Sequence, residues 1–255
     1  FSIKVANLEA DRPALLAHFE RKPDLQKILY DSLGSFGTPM APVLPDATLR
    51  GVIELANLRG IPTTVHSITE LASRTLLAAG IDAFAHPVRA AASRDFVQLL
   101  AVKRIPVSTT LVVLSHIARV VDDPSFLDAP LFRATVEPAQ LAQEKGPARL
   151  RYVENGMSPQ FRLMMPHVSA TVKRMHEAGV ILALGTDRTW GASVHMELEL
   201  LHAAGIPLAD LVRVATLNGA TYLHREHEIG SIERGKQADM LLLREDPTRS
   251  VAAWQ

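Results

Sequence analysis

The sequence predicts an α/β fold, a parallel (β/α)8 barrel of the TIM type, and three observations carry the prediction. Short apolar, β-branched runs alternate with amphipathic stretches, the pattern of βαβ crossovers around a parallel sheet. Chemically competent residues close several of those runs: His66, His86 and Asp187 each follow an apolar segment. In a parallel barrel all strand C-termini converge on one face, where the chemistry of the fold takes place. A doubly wound sheet is the alternative, but no G-x-G-x-x-G follows a strand, which weakens a dinucleotide-binding reading.

Element by element, Ser2–Leu8 reads as a strand. Asp11–Arg21 reads as a helix, with Leu15, Leu16 and Phe19 at helical spacing. Leu25–Tyr30 is the next strand, and the Gly/Pro-rich stretch Ser32–Pro42 is a loop. Asp46–Arg59 is a helix capped by Asp46 and stopped by Gly60. Pro62–His66 is a strand and Glu70–Ala79 a helix ended by Gly80. Asp82–His86 is a strand, Ala90–Lys103 a helix and Pro106–Val113 a strand. Ser115–Gln160 carries Pro124, Pro130, Pro138, Pro147 and Pro159 and is expected to be long and irregular, with some helix. Pro166–Ala178 is a helix ended by Gly179, Val180–Leu184 a strand, and Met196–Ala204 and Leu208–Leu223 are helical. The tail Ile229–Leu243 contains a last strand, Met240–Leu243. Six strand units precede the tail, and eight close a barrel, so about two are expected upstream. The barrel is assigned to residues 1–228 and a C-terminal β segment to residues 229–255.

Composition removes several function classes. Lysine plus arginine (27) balances aspartate plus glutamate (27), so charge gives no case for nucleic acid or an anionic membrane. No apolar run approaches the ~20 residues of a membrane span, and no signal peptide is visible. There is no cysteine, which excludes disulfides and thiolate metal sites. A cytoplasmic location is the expectation, although absence of cysteine fits an exported protein equally. Any metal must use histidine, carboxylate or a modified lysine.

His66, His86 and Asp187, placed together at three strand ends, suit Zn²⁺ and related divalent ions. Taken singly, each also fits a hydrogen-bonded structural residue or, for Asp187, a helix cap. Lys27 is a fourth candidate. Alternation puts it on one face with Leu25 and Leu29, and an ammonium inside a barrel is costly. Reaction with CO₂ would turn it into a carbamate ligand; otherwise it points to solvent or pairs with an acid. Lys4 is a weaker rival. The metal candidates are therefore Lys27, His66, His86 and Asp187. His18, His116, His167, His176, His202, His224 and His227 lie in helical or irregular segments and are assigned no role.

The segments around Lys27, His66, His86 and Asp187, with Ala215–Ala220 and Glu228–Leu243, resemble the amidohydrolase superfamily, closest to its prolidase-like and imidazolonepropionase-like branch. The resemblance runs along nearly the whole chain, and the tail is its most specific part. It implies a barrel from about strand three to strand eight, with Ser2–Leu8 third, and a C-terminal remnant of a small β-sandwich. It implies one or two divalent ions, zinc foremost, held by a carboxylated Lys27, by His66 and His86, and by Asp187 as both ligand and general base. His195 matches a histidine that orients that aspartate or touches substrate; a solvent-facing helix-start histidine is the alternative. The family's His-x-His pair has no counterpart here, and Gln26 stands where the family carries an apolar residue. The implied reaction is hydrolysis of an amide, dipeptide-like or ester bond in a small molecule. Two other readings stay open. One is a mononuclear deaminase of a nucleobase-like substrate using Glu70. The other is a silent barrel fragment, completed by a complementing N-terminal chain or by a homo-oligomer that covers its open sheet edges.

Overall fold

The computed structural model describes residues 3–31 and 43–254, so the Ser32–Pro42 loop lies outside the described residues. Its centre is a five-stranded sheet: β1 (Gln26–Leu29), β2 (Thr63–His66), β3 (Ala83–Phe84), β4 (Val107–Ser108) and β5 (Leu182–Ala183). The strands are hydrogen-bonded in chain order and all pairs are parallel. Sequential parallel order with a helical crossover after each strand is the barrel-type arrangement, so the α/β prediction holds at that level.

Helix α1 (Leu8–Phe19) precedes the sheet, and the first crossovers are α2 (Asp46–Asn57), α3 (Glu70–Ala79) and α4 (Arg94–Val102). Between β4 and β5 come α5 (Leu111–Asp122), α6 (Pro130–Thr135), α7 (Pro138–Gln143), α8 (Arg149–Glu154) and α9 (Met157–Glu177). After β5 come α10 (Ala192–Ala203), α11 (Leu208–Ala215) and α12 (Leu217–Tyr222). Local chemistry sets the boundaries. Thr69 caps α3 by accepting from Ala72 N, and Gly80 ends it in the left-handed region. Ser93 caps α4 by accepting from Phe96 N, so that helix starts at Arg94 and not at Ala90. Asp46 lies inside the first turn of α2 and pairs with Arg50; the capping position is Pro45.

The sheet is buried on both faces at its centre. All residues of β2 are buried, as expected for a covered parallel strand. At the edge the pattern alternates: Ile28 is buried, whereas Lys27 and Leu29 are exposed, Leu29 by 69%. The alternation read from sequence is therefore correct, but Lys27 is not enclosed: it lies on the exposed face of β1, where it helps line a cavity. Among the described residues no helix is long and apolar enough to cross a membrane.

Four further expectations change. Residues 3–7 form no strand; Asn7 instead caps α1. Pro106–Val113 is a strand only at Val107–Ser108, because the α5 helix begins at Leu111. Ser115–Gln160 is mostly helical. Pro124, Pro130 and Pro138 sit in the first turns of helical segments, where proline's missing N–H is harmless and its φ is already helical. Met240–Leu243 forms no strand, and Leu242 is fully exposed. A lone strand without a hydrogen-bonded neighbour is not stable, and no described strand lies beside it.

Candidate active site

Parallel strands deliver their C-terminal ends to one rim. His66 is the last residue of β2 and His86 follows β3 by two residues. Their rings lie 4.7 Å apart, edge to face at 78°. His86 Nδ1 is 3.0 Å from Thr110 Oγ1, beyond the end of β4. His66 Nε2 is 3.3 Å from Asp31 Oδ2, just beyond β1. His86 Nε2 is buried without a hydrogen-bond partner.

Both imidazoles are held neutral. Burial pushes His86 down to about 2, reinforced by repulsion from a protonated His66 and from Lys27 and Arg89. Burial also lowers His66, with the Asp31 carboxylate opposing. Arg89 is itself lowered by burial, while Asp31 and Asp187 support its charge. The rim thus gathers His66, His86, Asp31, Arg89, Lys27 and Asp187 into one electrostatic group.

Beside it opens a cavity of about 480 Å³ lined by Lys27, Thr64, His86, Ser108, Gly185 and Asp187, among others. Helix α12 closes its far side. The Tyr222 hydroxyl hydrogen-bonds Thr64 Oγ1, and Asn218 Nδ2 donates to Leu182 O at 2.8 Å. Asn218, within the Ala215–Ala220 segment, therefore ties α12 to β5. Gly185 is needed for closeness: a Cβ there would lie 2.0 Å from Ser108 Oγ.

Asp187 adopts φ +50°, which aspartate tolerates better than most residues. The turn around it is fastened on both sides. Thr186 Oγ1 donates to Arg188 O at 3.0 Å and accepts from Arg188 N at 3.2 Å. The Arg188 guanidinium stacks over Trp190 and donates to Glu144 Oε1 at 2.9 Å.

Of the residues singled out from sequence, the fold pairs His66 with His86 and sets Lys27, His86 and Asp187 around one cavity. Among the described residues no three of His, Asp or Glu converge closely enough to hold a metal ion. Asp31 Oδ2 lies against His66 Nε2, and the turn that carries Asp187 is fixed by the Thr186–Arg188 hydrogen bonds. The donor chemistry nevertheless fits a borderline divalent ion, with neutral nitrogens, an orphaned Nε2 and a carboxylate across the cavity. His195 lies in α10, partly buried, with Nδ1 unpartnered, and is not among the cavity-lining residues. Glu70 accepts from Arg74, from Ser93 N at 2.8 Å and from Ser93 Oγ at 2.6 Å.

Sequence reasoning missed Asp31, Arg89 and Thr110. Asp31 and Thr110 each lie two residues past a strand; the strand-end criterion that found His86 covers Asp31, whereas Thr110 falls inside the run Pro106–Val113 that reads as continuous strand. Arg89 carried no signal.

The fold and rim define a TIM-barrel-type α/β protein with hydrolase-like donors at its strand ends. Residues 9–255 match the amidohydrolase family, and the chain belongs to that family. It is 36% identical over 138 residues to the 5-methylthioadenosine/S-adenosylhomocysteine deaminase of Moorella thermoacetica, covering 46% of this chain and 30% of that protein. It is 41% identical over 88 residues to the imidazolonepropionase of Treponema denticola, covering 32% of this chain and 21% of that one. A Xaa-Pro dipeptidase crystal structure with bound methionine superposes with TM-score 0.71 at 20% identity, covering 98% of this chain and 55% of the dipeptidase. The chain thus spans about half of that structural relative and a smaller share of the two sequence relatives.

Proposed function

We propose that this chain carries the site of a metal-dependent hydrolase that cleaves a C–N bond, amide or dipeptide-like, or an ester bond, in a small molecule. The observation that carries the reading is the neutral His66–His86 pair, with His86 Nε2 unpartnered, at the rim of a cavity lined by Lys27 and Asp187. Family membership and the imidazolonepropionase and dipeptidase relatives support it.

His66, His86 and Asp187 would hold one or two divalent ions, zinc foremost, with Lys27 as a carbamate ligand. When bound, such an ion supplies Lewis acidity toward a carbonyl and lowers the pKa of water toward about 7. Asp187 accepts the proton of the attacking water and returns it to the leaving group. His195, which resemblance alone would set beside Asp187, lies in α10 outside the cavity lining and is given no part in this step. Residues 229–255 belong to a small second domain, and a further copy or a complementary N-terminal chain covers the open sheet edges.

Asp187→Asn should abolish hydrolysis of a panel of Xaa-Pro dipeptides, N-acyl amino acids and cyclic amides while leaving the circular dichroism spectrum unchanged. Full residual turnover in that variant would remove Asp187 from the mechanism. Deamination is the second reading, favoured by the deaminase relative. Glu70 is a poor acid for it, since its oxygens are engaged by Arg74 and Ser93. Ammonia release from adenosine-like compounds, without amide hydrolysis, would favour deamination.

A further inference from the structure

Thr110 occupies the capping position of α5, where a threonine side chain usually accepts from the first backbone N–H groups. Here it makes no cap hydrogen bond. Its hydroxyl turns to His86 Nδ1 at 3.0 Å instead. The capping is done from elsewhere in the chain: Glu197, fully buried in α10, accepts from Leu111 N at 3.0 Å and Val112 N at 2.6 Å. Thr110 is also left-handed, at φ +44°, a rare conformation for a β-branched residue. Its own N–H donates to Gly185 O at 3.1 Å. The backbone on both sides of Thr110 is therefore held from outside, and its hydroxyl is left over for the histidine.

We propose that Thr110 and Glu197 are positioning residues for His86. Thr110 Oγ1 accepts from His86 Nδ1–H, which places the lone pair on Nε2, the atom that is buried without a partner. Glu197 takes over the capping of α5 and so frees the Thr110 hydroxyl for that contact. A ligating imidazole is commonly oriented by a hydrogen bond from its other nitrogen; here the orienting group is a threonine held in a strained backbone by a buried carboxylate. The proposal rests on the hydrolase reading only in giving Nε2 a ligand to meet.

The test is the tautomer of His86 in the metal-free full chain, read from imidazole ¹⁵N shifts at mildly alkaline pH. The expected wild-type spectrum has Nδ1 protonated and Nε2 in the pyridine-type range. Thr110→Val keeps the shape and removes the acceptor, and should shift His86 toward the Nε2–H form. Thr110→Ser should retain the wild-type spectrum. Glu197→Gln, which disturbs the grip on the two N–H groups, should populate both tautomers. Zinc affinity should fall about 10–100-fold in Thr110→Val and stay near wild type in Thr110→Ser. An Nε2–H tautomer in the wild type, or a spectrum that Thr110→Val leaves unchanged, would overturn the proposal. An unchanged spectrum in Glu197→Gln would remove Glu197 from it. A Thr110-dependent tautomer in a chain that binds no zinc would support the positioning role while the hydrolase reading failed.

Discussion

Removing Glu144 should be among the most damaging single changes in this chain. Its Oε1 lies 2.9 Å from Arg188 Nη2, 2.8 Å from His116 Nε2 and 3.0 Å from Tyr152 OH. The side chains are only 9% exposed for Glu144, 13% for Arg188 and 0% for His116. Burial alone would raise the Glu144 carboxyl, but His116 and the Arg188 guanidinium outweigh it and bring the group down to about 2. Glu144→Ala therefore leaves a guanidinium enclosed without its carboxylate and withdraws the acceptor of a buried tyrosine. Breaking one side of a buried pair typically costs about 3–5 kcal/mol, a large part of a total stability of roughly 5–15 kcal/mol. Urea unfolding followed by tryptophan fluorescence measures it, since Trp190 lies under Arg188. The double variant Glu144→Leu with Arg188→Met removes both charges and should recover much of the loss. A single-variant cost below about 1 kcal/mol would refute the claim that this cluster supports the Asp187 turn.

Three further outcomes are expected. Burial lowers His66, His86 and His116, so below about pH 6.5 the unfolded chain takes up protons that the folded chain refuses. Stability of the metal-free chain should therefore fall with acid, by up to about 1.4 kcal/mol per pH unit for each such histidine. Glu197, raised by burial to about 7, works in the opposite sense, its contribution being lost as pH rises through that value. Chemical denaturation across a pH series checks the net slope, and flat stability between about pH 7 and pH 5 would contradict it. Gly230 sits at φ +91°, and a Cβ there would meet Ala220 Cβ at 2.8 Å and Leu217 Cα at 2.9 Å. Gly230→Ala should cost about 1–3 kcal/mol in thermal melts, more than Gly235→Ala, where the same φ meets nothing within 4 Å. Glu70→Gln should cost about 1–2 kcal/mol and leave kcat/KM near wild type. A hundredfold fall in turnover would instead point to the deaminase reading.

What the sequence made legible was whatever chemistry acts locally. Thr69 and Gly80 bracket α3 by their own side-chain and backbone preferences, and β-branched runs place β2 and β3. The strand-end rule found His66, His86 and Asp187, because in a parallel sheet position along the strand decides the face of the rim. Asp31 directly follows the strand read as Leu25–Tyr30 and has a metal-binding side chain, so the same rule covers it, whereas Thr110 falls inside the run Pro106–Val113 that reads as continuous strand. The five prolines of Ser115–Gln160 suggest an irregular segment with some helix, yet Pro124, Pro130 and Pro138 start helical segments. The Glu144–Arg188 contact spans 44 residues and the Glu197 cap 86; only the folded packing brings such partners together. The apolar tail pattern Met240–Leu243 is compatible with a strand, but pairing depends on a neighbour that local pattern cannot supply.

Whether the paired histidines and Asp187 form a metal site is decided by the metal content of the purified chain. The full chain should be purified without added chelator, incubated with zinc, desalted and measured by plasma mass spectrometry. A His66→Ala/His86→Ala double variant should be treated in the same way. About one or two zinc ions per wild-type chain are expected, with loss of stoichiometric metal in the double variant. No bound metal in the wild type, or full metal in the double variant, would contradict the metal site.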